Sequence, residues 1–154
     1  MKAARLAAGD LLARRAWTRA ELTARLRRRG APVNVATTVV DDLVERGYVD
    51  DAAFARHWVT TRAARGYGAT RLRAELRARG VAATLVDAAL AALDRNSQLD
   101  EARRLVRRRL PSLTRAAPEK AASRLRDYLL RRGFAGGVVS EIVRESLRVR
   151  LEAD

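Results

Sequence analysis

The pattern Leu-x3-Leu-x2-Arg-Gly occurs three times in this chain of 154 residues: at Leu22, Leu26, Arg29 and Gly30, at Leu72, Leu76, Arg79 and Gly80, and at Leu125, Leu129, Arg132 and Gly133. The copies stand fifty and then fifty-three residues apart. That spacing lies at the upper end of helical-repeat periods, where one unit cannot bury its apolar face alone and must lean on a neighbour. Leucines four apart share one side of a helix, and a glycine just beyond them supplies the left-handed turn that ends it. A second apolar stripe follows each copy: Val35, Val39 and Leu43, then Leu85, Ala89 and Leu93, then Val138, Ile142 and Leu147. With a further helix ahead of each pair, the expected fold is all-α. Three tandem three-helix, helix-turn-helix-like repeats over 1–47, 48–96 and 97–154 would stack in a curved, elongated array.

Helix signals fill in the units. The first helix is expected from about Ala3 to Arg15, with Leu6 and Leu12 in the core. Thr18 and Glu21 form a capping box for the next, with Trp17 and Leu22 at the positions of a hydrophobic staple. Gly30 ends that helix, and a third runs from about Val33 to Arg46. In the second unit Asp50 or Asp51 caps a helix carrying Phe54, Trp58 and Val59, which breaks at Gly66-Tyr67-Gly68. Helices to Arg79 and from Ala82 to Asp94 follow, and Arg95 to Gln98 reads as a linker. The third unit is less regular. Its first helix spans about Leu99 to Leu110 and ends at Pro111, a loop runs to Pro118, and the last two helices flank Gly133 and Gly136-Gly137.

The chain has no cysteine, which excludes disulfide scaffolds, thiolate metal sites and cysteine nucleophiles and suits a reducing cytoplasm. No stretch of membrane-spanning length lacks an arginine, and the first residues show no signal-peptide pattern. His57 is the only histidine, without a serine nucleophile pattern or metal-ligand spacing around it. Neither a phosphate-loop motif nor a calcium-loop pattern among Asp41, Asp42, Glu45, Asp50 and Asp51 is present. The expectation is a protein that is not an enzyme and holds no cofactor or metal.

Charge points to the partner. The formal net charge is +14, and the excess is spread over all three repeats, with ten basic residues against five acidic, eight against five and fourteen against eight. An anionic partner fits, as does a solvated arginine-rich surface. The second repeat differs from the first where its middle helix begins. Tyr67 takes the place of Trp17, as a staple or a contact. Arg71 takes the place of Glu21 and sets a positive charge against the positive end of the helix macrodipole, so Arg71→Glu is expected to firm the helix. With the backbone N–H groups freed by Gly66 and Gly68, and with Arg62 and Arg65 upstream, Arg71 marks either an anion site or an exposed basic residue. Arg73 and Arg77 project away from the leucine stripe as contact candidates. Arg103, Arg104 and Arg107 to Arg109 rank second. Arg29, Arg79 and Arg132 read as helix-end residues that bond the last carbonyls.

The run from Tyr48 through Asp50-Asp51, Phe54, Trp58, Arg62, Gly66-Tyr67-Gly68, Arg71-Leu72-Arg73 and Leu76 to Arg79-Gly80 resembles the signature of the RecX family, and Trp17 to Leu22 resembles the family's repeats. The resemblance implies three tandem three-helix repeats in a regulator, most often an inhibitor, of the RecA recombinase. Such a protein lodges in the groove of the RecA filament on single-stranded DNA, suppresses ATPase, strand exchange and co-protease activity, and binds DNA directly. Arg62, Tyr67, Arg71 and Arg73 then become candidates for filament contact. Direct contact with single-stranded and also double-stranded DNA would be weak and sequence-tolerant, and the protein is expected to act as a monomer without a membrane. The other reading is a sequence-specific helix-turn-helix transcriptional regulator. Repeat three departs from the pattern, with Lys120 at the staple position, which leaves its contacts undefined.

Overall fold

The computed structural model of the chain describes residues 1–113 and 116–153, with the side chains of Leu110 and Leu113 left aside. Its elements are α1 (Lys2–Arg14), α2 (Arg19–Arg28), α3 (Val33–Glu45), α4 (Asp51–Ala63), α5 (Ala69–Ala78), α6 (Ala83–Leu90), α7 (Arg95–Leu113), α8 (Pro118–Arg132) and α9 (Gly136–Ala153). No strand occurs among the described residues. The all-α, three-by-three arrangement expected from the repeats is therefore present, each motif closing the middle helix of a triplet. Two compact units divide the chain, Met1–Trp58 with Glu75–Ala89 and Val59–Ala74 with Leu90–Asp154, so the residues of the second triplet are apportioned between them.

The first unit is built on Leu22, Leu26, Val39, Val40 and Val49 against Ala8 and Leu11 of α1. Burying leucines such as Leu22 and Leu26 stabilises by about 2 kcal/mol each. The inner face of α1 is Ala4, Ala8 and Leu11, which follow one another at helical spacing. Leu6 lies two residues off that stripe, on the far side of a helix that turns about 100° per residue, and is 64% exposed rather than in the core. Leu12 is partly buried, as expected. In the second unit Leu105, Leu125, Leu129 and Ile142 surround Phe134, a fully buried side chain that follows Gly133 directly.

Two helix boundaries differ from those expected. α6 stops at Leu90 because Asp94 serves the next helix instead: its carboxylate accepts the Ser97 N–H at 2.8 Å, an N-cap. The expected linker from Arg95 to Gln98 is consequently the first turn of α7, and Gln98 is buried. α7 also runs past Pro111. Proline's fixed φ suits a helix, and so near the end the lost N–H disturbs only the last turn. Of the loop expected before Pro118, Thr114 and Arg115 lie outside the described residues. Pro118 opens α8 at a position where its missing N–H removes no helical bond.

Candidate functional site

In the second and third repeats the Arg-Gly pair fastens its repeat to the one before. Thr18 caps α2, and its hydroxyl accepts the Glu21 N–H at 3.1 Å while donating to the Arg79 carbonyl at 2.6 Å. The Glu21 carboxylate closes the capping box on the Thr18 N–H at 3.2 Å and accepts Arg79 at 2.7 Å and Arg15 at 3.1 Å. The Arg79 guanidinium also lies 4.2 Å from the centre of the Trp58 ring, a cation–π contact. Asp51, at the start of α4, accepts the Arg19 N–H at 2.8 Å. Burial alone would raise the Glu21 pKa, but the bonds from Arg79, Thr18 and Arg15 outweigh it and hold the carboxyl below its ordinary value of 4.5. Gly80 is needed for the approach: a Cβ there would stand 2.3 Å from the Ala20 Cβ.

At the start of α5 the same joint recurs with different chemistry. The Gly68 N–H donates to the Arg132 carbonyl at 2.7 Å, and the Thr70 and Arg71 N–H groups to the Gly133 carbonyl at 3.0 and 3.3 Å. Gln98 of α7 accepts the Ala69 N–H at 2.8 Å, in the place that Asp51 holds at the first joint. The positive end of α5 thus meets the negative end of α8. A Cβ on Gly68 would lie 2.5 Å from the Gly133 carbonyl, which explains why threonine gives way to glycine here. Arg71 donates to the Arg131 carbonyl at 3.1 Å, and Arg132 donates to the Arg65 and Gly66 carbonyls at 2.5 and 3.3 Å. Tyr67, half-buried, holds three guanidinium groups around its ring, Arg62 at 4.3 Å and Arg71 and Arg132 at 4.4 Å.

Two expectations change. The N–H groups thought to be freed for an anion at the start of α5 are all occupied by protein acceptors. Of the three arginines expected to bond the carbonyls of their own helix ends, Arg79 and Arg132 reach across to the preceding repeat, because a carboxylate or carbonyl pair there is within range. Arg62, Tyr67 and Arg71 come together at the second joint. Arg65 and Arg73 are exposed in the same unit, and Arg77 is exposed in the other. Arg103 pairs with Glu145 at 2.9 Å and Asp100 at 3.0 Å, and Arg104 with Glu101. Arg107 and Arg108 are exposed. Arg109 lies 4.0 Å from the Tyr128 ring at the edge of a cleft of about 350 Å³ that Arg124, Arg131 and Ser112 also line. His57 is exposed on α4. No group of three His, Cys, Asp or Glu suited to a metal ion occurs among the described residues, and none of their helices is long and apolar enough to cross a membrane.

Arg79, Arg132, Trp58 and Gln98 were not legible as joint residues. The available signal was the paired change from Thr18 and Glu21 to Gly68 and Arg71, which tracks what the next repeat presents.

Comparison with known proteins agrees with the triplets. Models of the first, second and third three-helix domains of RecX match residues 4–43, 50–90 and 96–143. A regulatory protein RecX of Thermobifida fusca is 45% identical over 138 residues, 89% of this chain and 75% of the relative. One from Amycolatopsis mediterranei is 40% identical over 140 residues, 90% of this chain and 80% of that protein. The crystal structure of RecX from Lactobacillus salivarius superposes with a TM-score of 0.84 at 18% identity, covering 94% of both chains. With all three of its domains matched, in order and at their own motifs, this chain belongs to the RecX family.

Proposed function

We propose that this chain is a non-enzymatic, cytoplasmic regulator of the RecA recombinase, acting as a monomer, and that its usual effect is inhibition. It docks in the groove of the filament on single-stranded DNA and suppresses ATP hydrolysis, strand exchange and co-protease activity. The observation that carries this reading is family membership along nearly the whole chain, with relatives that bear the name regulatory protein. A net charge of +14 suits a nucleoprotein partner. The functional repeats in this reading are 1–47, 48–96 and 97–154.

The candidate residues then divide by role. Tyr67, Arg71 and Arg62 hold the second joint in shape while presenting its basic outer side. Arg65, Arg73 and Arg77 supply filament contacts, and the Arg109, Arg124 and Arg131 cleft takes backbone phosphates of the strand. DNA-dependent ATP hydrolysis by the cognate RecA tests the proposal: added protein at substoichiometric to equimolar ratio lowers the rate, and an unchanged rate overturns it. A gel shift addresses the transcriptional reading, which requires tight preference for one duplex operator. The proposal instead expects weak, salt-sensitive binding with little sequence preference.

A further inference from the structure

Repeat one carries the same Arg-Gly pair as repeats two and three, yet among the described residues no helix start is seated on it. Gly30 has φ +99°, like Gly80 at +82° and Gly133 at +95°, so the backbone is set in the same left-handed turn. The Ala31 N–H bonds the Leu26 carbonyl at 3.0 Å, as the Val81 N–H bonds Leu76 at 3.1 Å and Phe134 bonds Leu129 at 3.2 Å. The outer surfaces differ. A Cβ on Gly30 would meet nothing within 4 Å, Arg27, Arg28 and Arg29 are all exposed, and among the described residues Arg29 has no carboxylate partner. The edge that occupies a helix start at the other two copies is vacant at this one.

We propose that the Arg29–Gly30 edge docks the N-terminus of a helix from a partner protein, one with a serine or threonine at its N-cap and a glutamate three residues on. Both joints in the chain are made by seating an Arg-Gly turn on a helix N-terminus, and the first shows the chemistry best suited to this edge. There a hydroxyl donates to the arginine carbonyl and a carboxylate takes the guanidinium. The opposed helix ends attract, and an acid in the partner's first turn answers the charge of Arg27 to Arg29. A second copy of this chain does not supply that end. The N-termini of α2 and α5 are engaged at their own joints. In α8 the residue equivalent to Thr18 and Gly68, four before the first leucine, is Ala121, which lies buried inside a helix that begins earlier, at Pro118.

Nuclear magnetic resonance on the full chain tests this with a short lactam-stapled helical peptide that begins with the Trp17–Leu22 sequence. Saturable shifts of the Arg29 and Gly30 amides are expected, with affinity falling about tenfold when the peptide's threonine becomes valine or its glutamate becomes lysine, a loss of about 1.4 kcal/mol. Arg29→Glu, at an exposed position, should fold normally and lose the response. Binding that ignores the threonine and glutamate, shifts confined to other residues, or none at all overturns the proposal. So does self-association of the unmixed chain in sedimentation velocity that Arg29→Glu abolishes, since the occupant would then be a second copy.

Discussion

The two joints solve one problem with opposite chemistry. At the first, side chains do the fastening: the Thr18 hydroxyl takes the Arg79 carbonyl and Glu21 takes the Arg79 guanidinium. At the second, backbone takes the hydroxyl's part: bare N–H groups of Gly68, Thr70 and Arg71 meet the carbonyls of Arg132 and Gly133, and the Arg132 guanidinium finds carbonyls in place of a carboxylate. The second approach is closer, so threonine is not tolerated at position 68, and a carboxylate at 71 would face a carbonyl where arginine now donates. A charge pattern that reads from sequence as a ligand site is thereby explained by packing between repeats. A repeat motif is thus kept while the surface it meets is rewritten.

The largest effect expected comes from the three motif glycines. Alanine at position 133 combines a left-handed φ with a Cβ 2.0 Å from the Arg71 Cβ and 2.8 Å from its backbone nitrogen, and should cost about 3 kcal/mol or more. At position 80 the clash is with the Ala20 methyl alone, and about 2–3 kcal/mol is expected. Gly30→Ala meets no neighbour and should cost about 1 kcal/mol from backbone strain. Urea unfolding of the three variants gives the ranking, and equal losses would break the distinction between joined and vacant copies.

Charge reversal at the second joint comes next. Arg71→Glu removes the bond to the Arg131 carbonyl and turns an acceptor toward that acceptor, with an expected loss of about 1–2 kcal/mol. The helix dipole taken alone predicts a small gain, so the sign of the change decides between them. Thermal unfolding reads it directly.

How much was legible in the sequence follows the range of the interactions. Local patterns gave the capping box at Thr18 and Glu21, the glycine stops, and the leucine faces, all of which the structure contains. Leu6 lies outside the core although it is the larger apolar residue, because the inner face of α1 is mostly alanine, whose small side chain gives little periodic signal. The Arg95 to Gln98 turn was missed because Asp94 could end one helix or start another, and tertiary packing decides. Arg79 and Arg132 could not be placed because each bonds groups more than fifty residues away in sequence. The family resemblance is carried by ordered spacings over the second repeat, a longer-range signal than any single candidate contact.

Acid should weaken the first joint and leave the second, where the described bonds of Gly68, Thr70 and Arg71 go to carbonyls, less affected. The folded Glu21 carboxyl titrates below its ordinary value of 4.5. Its contribution is therefore full above that value and is lost as pH falls through the lower folded one. Stability of the parent followed from neutral pH downward should show this loss, and Glu21→Gln should flatten that part of the profile.

At both joints the motif arginine of one repeat fastens it to the repeat before. A double-mutant cycle of Glu21→Ala and Arg79→Ala, followed by urea unfolding, measures it without the separate capping role of Glu21. A coupling energy of about 1 kcal/mol is expected, with none in the parallel cycle pairing Glu21→Ala with Arg29→Ala. Additivity of Glu21 and Arg79 within about 0.3 kcal/mol would contradict it.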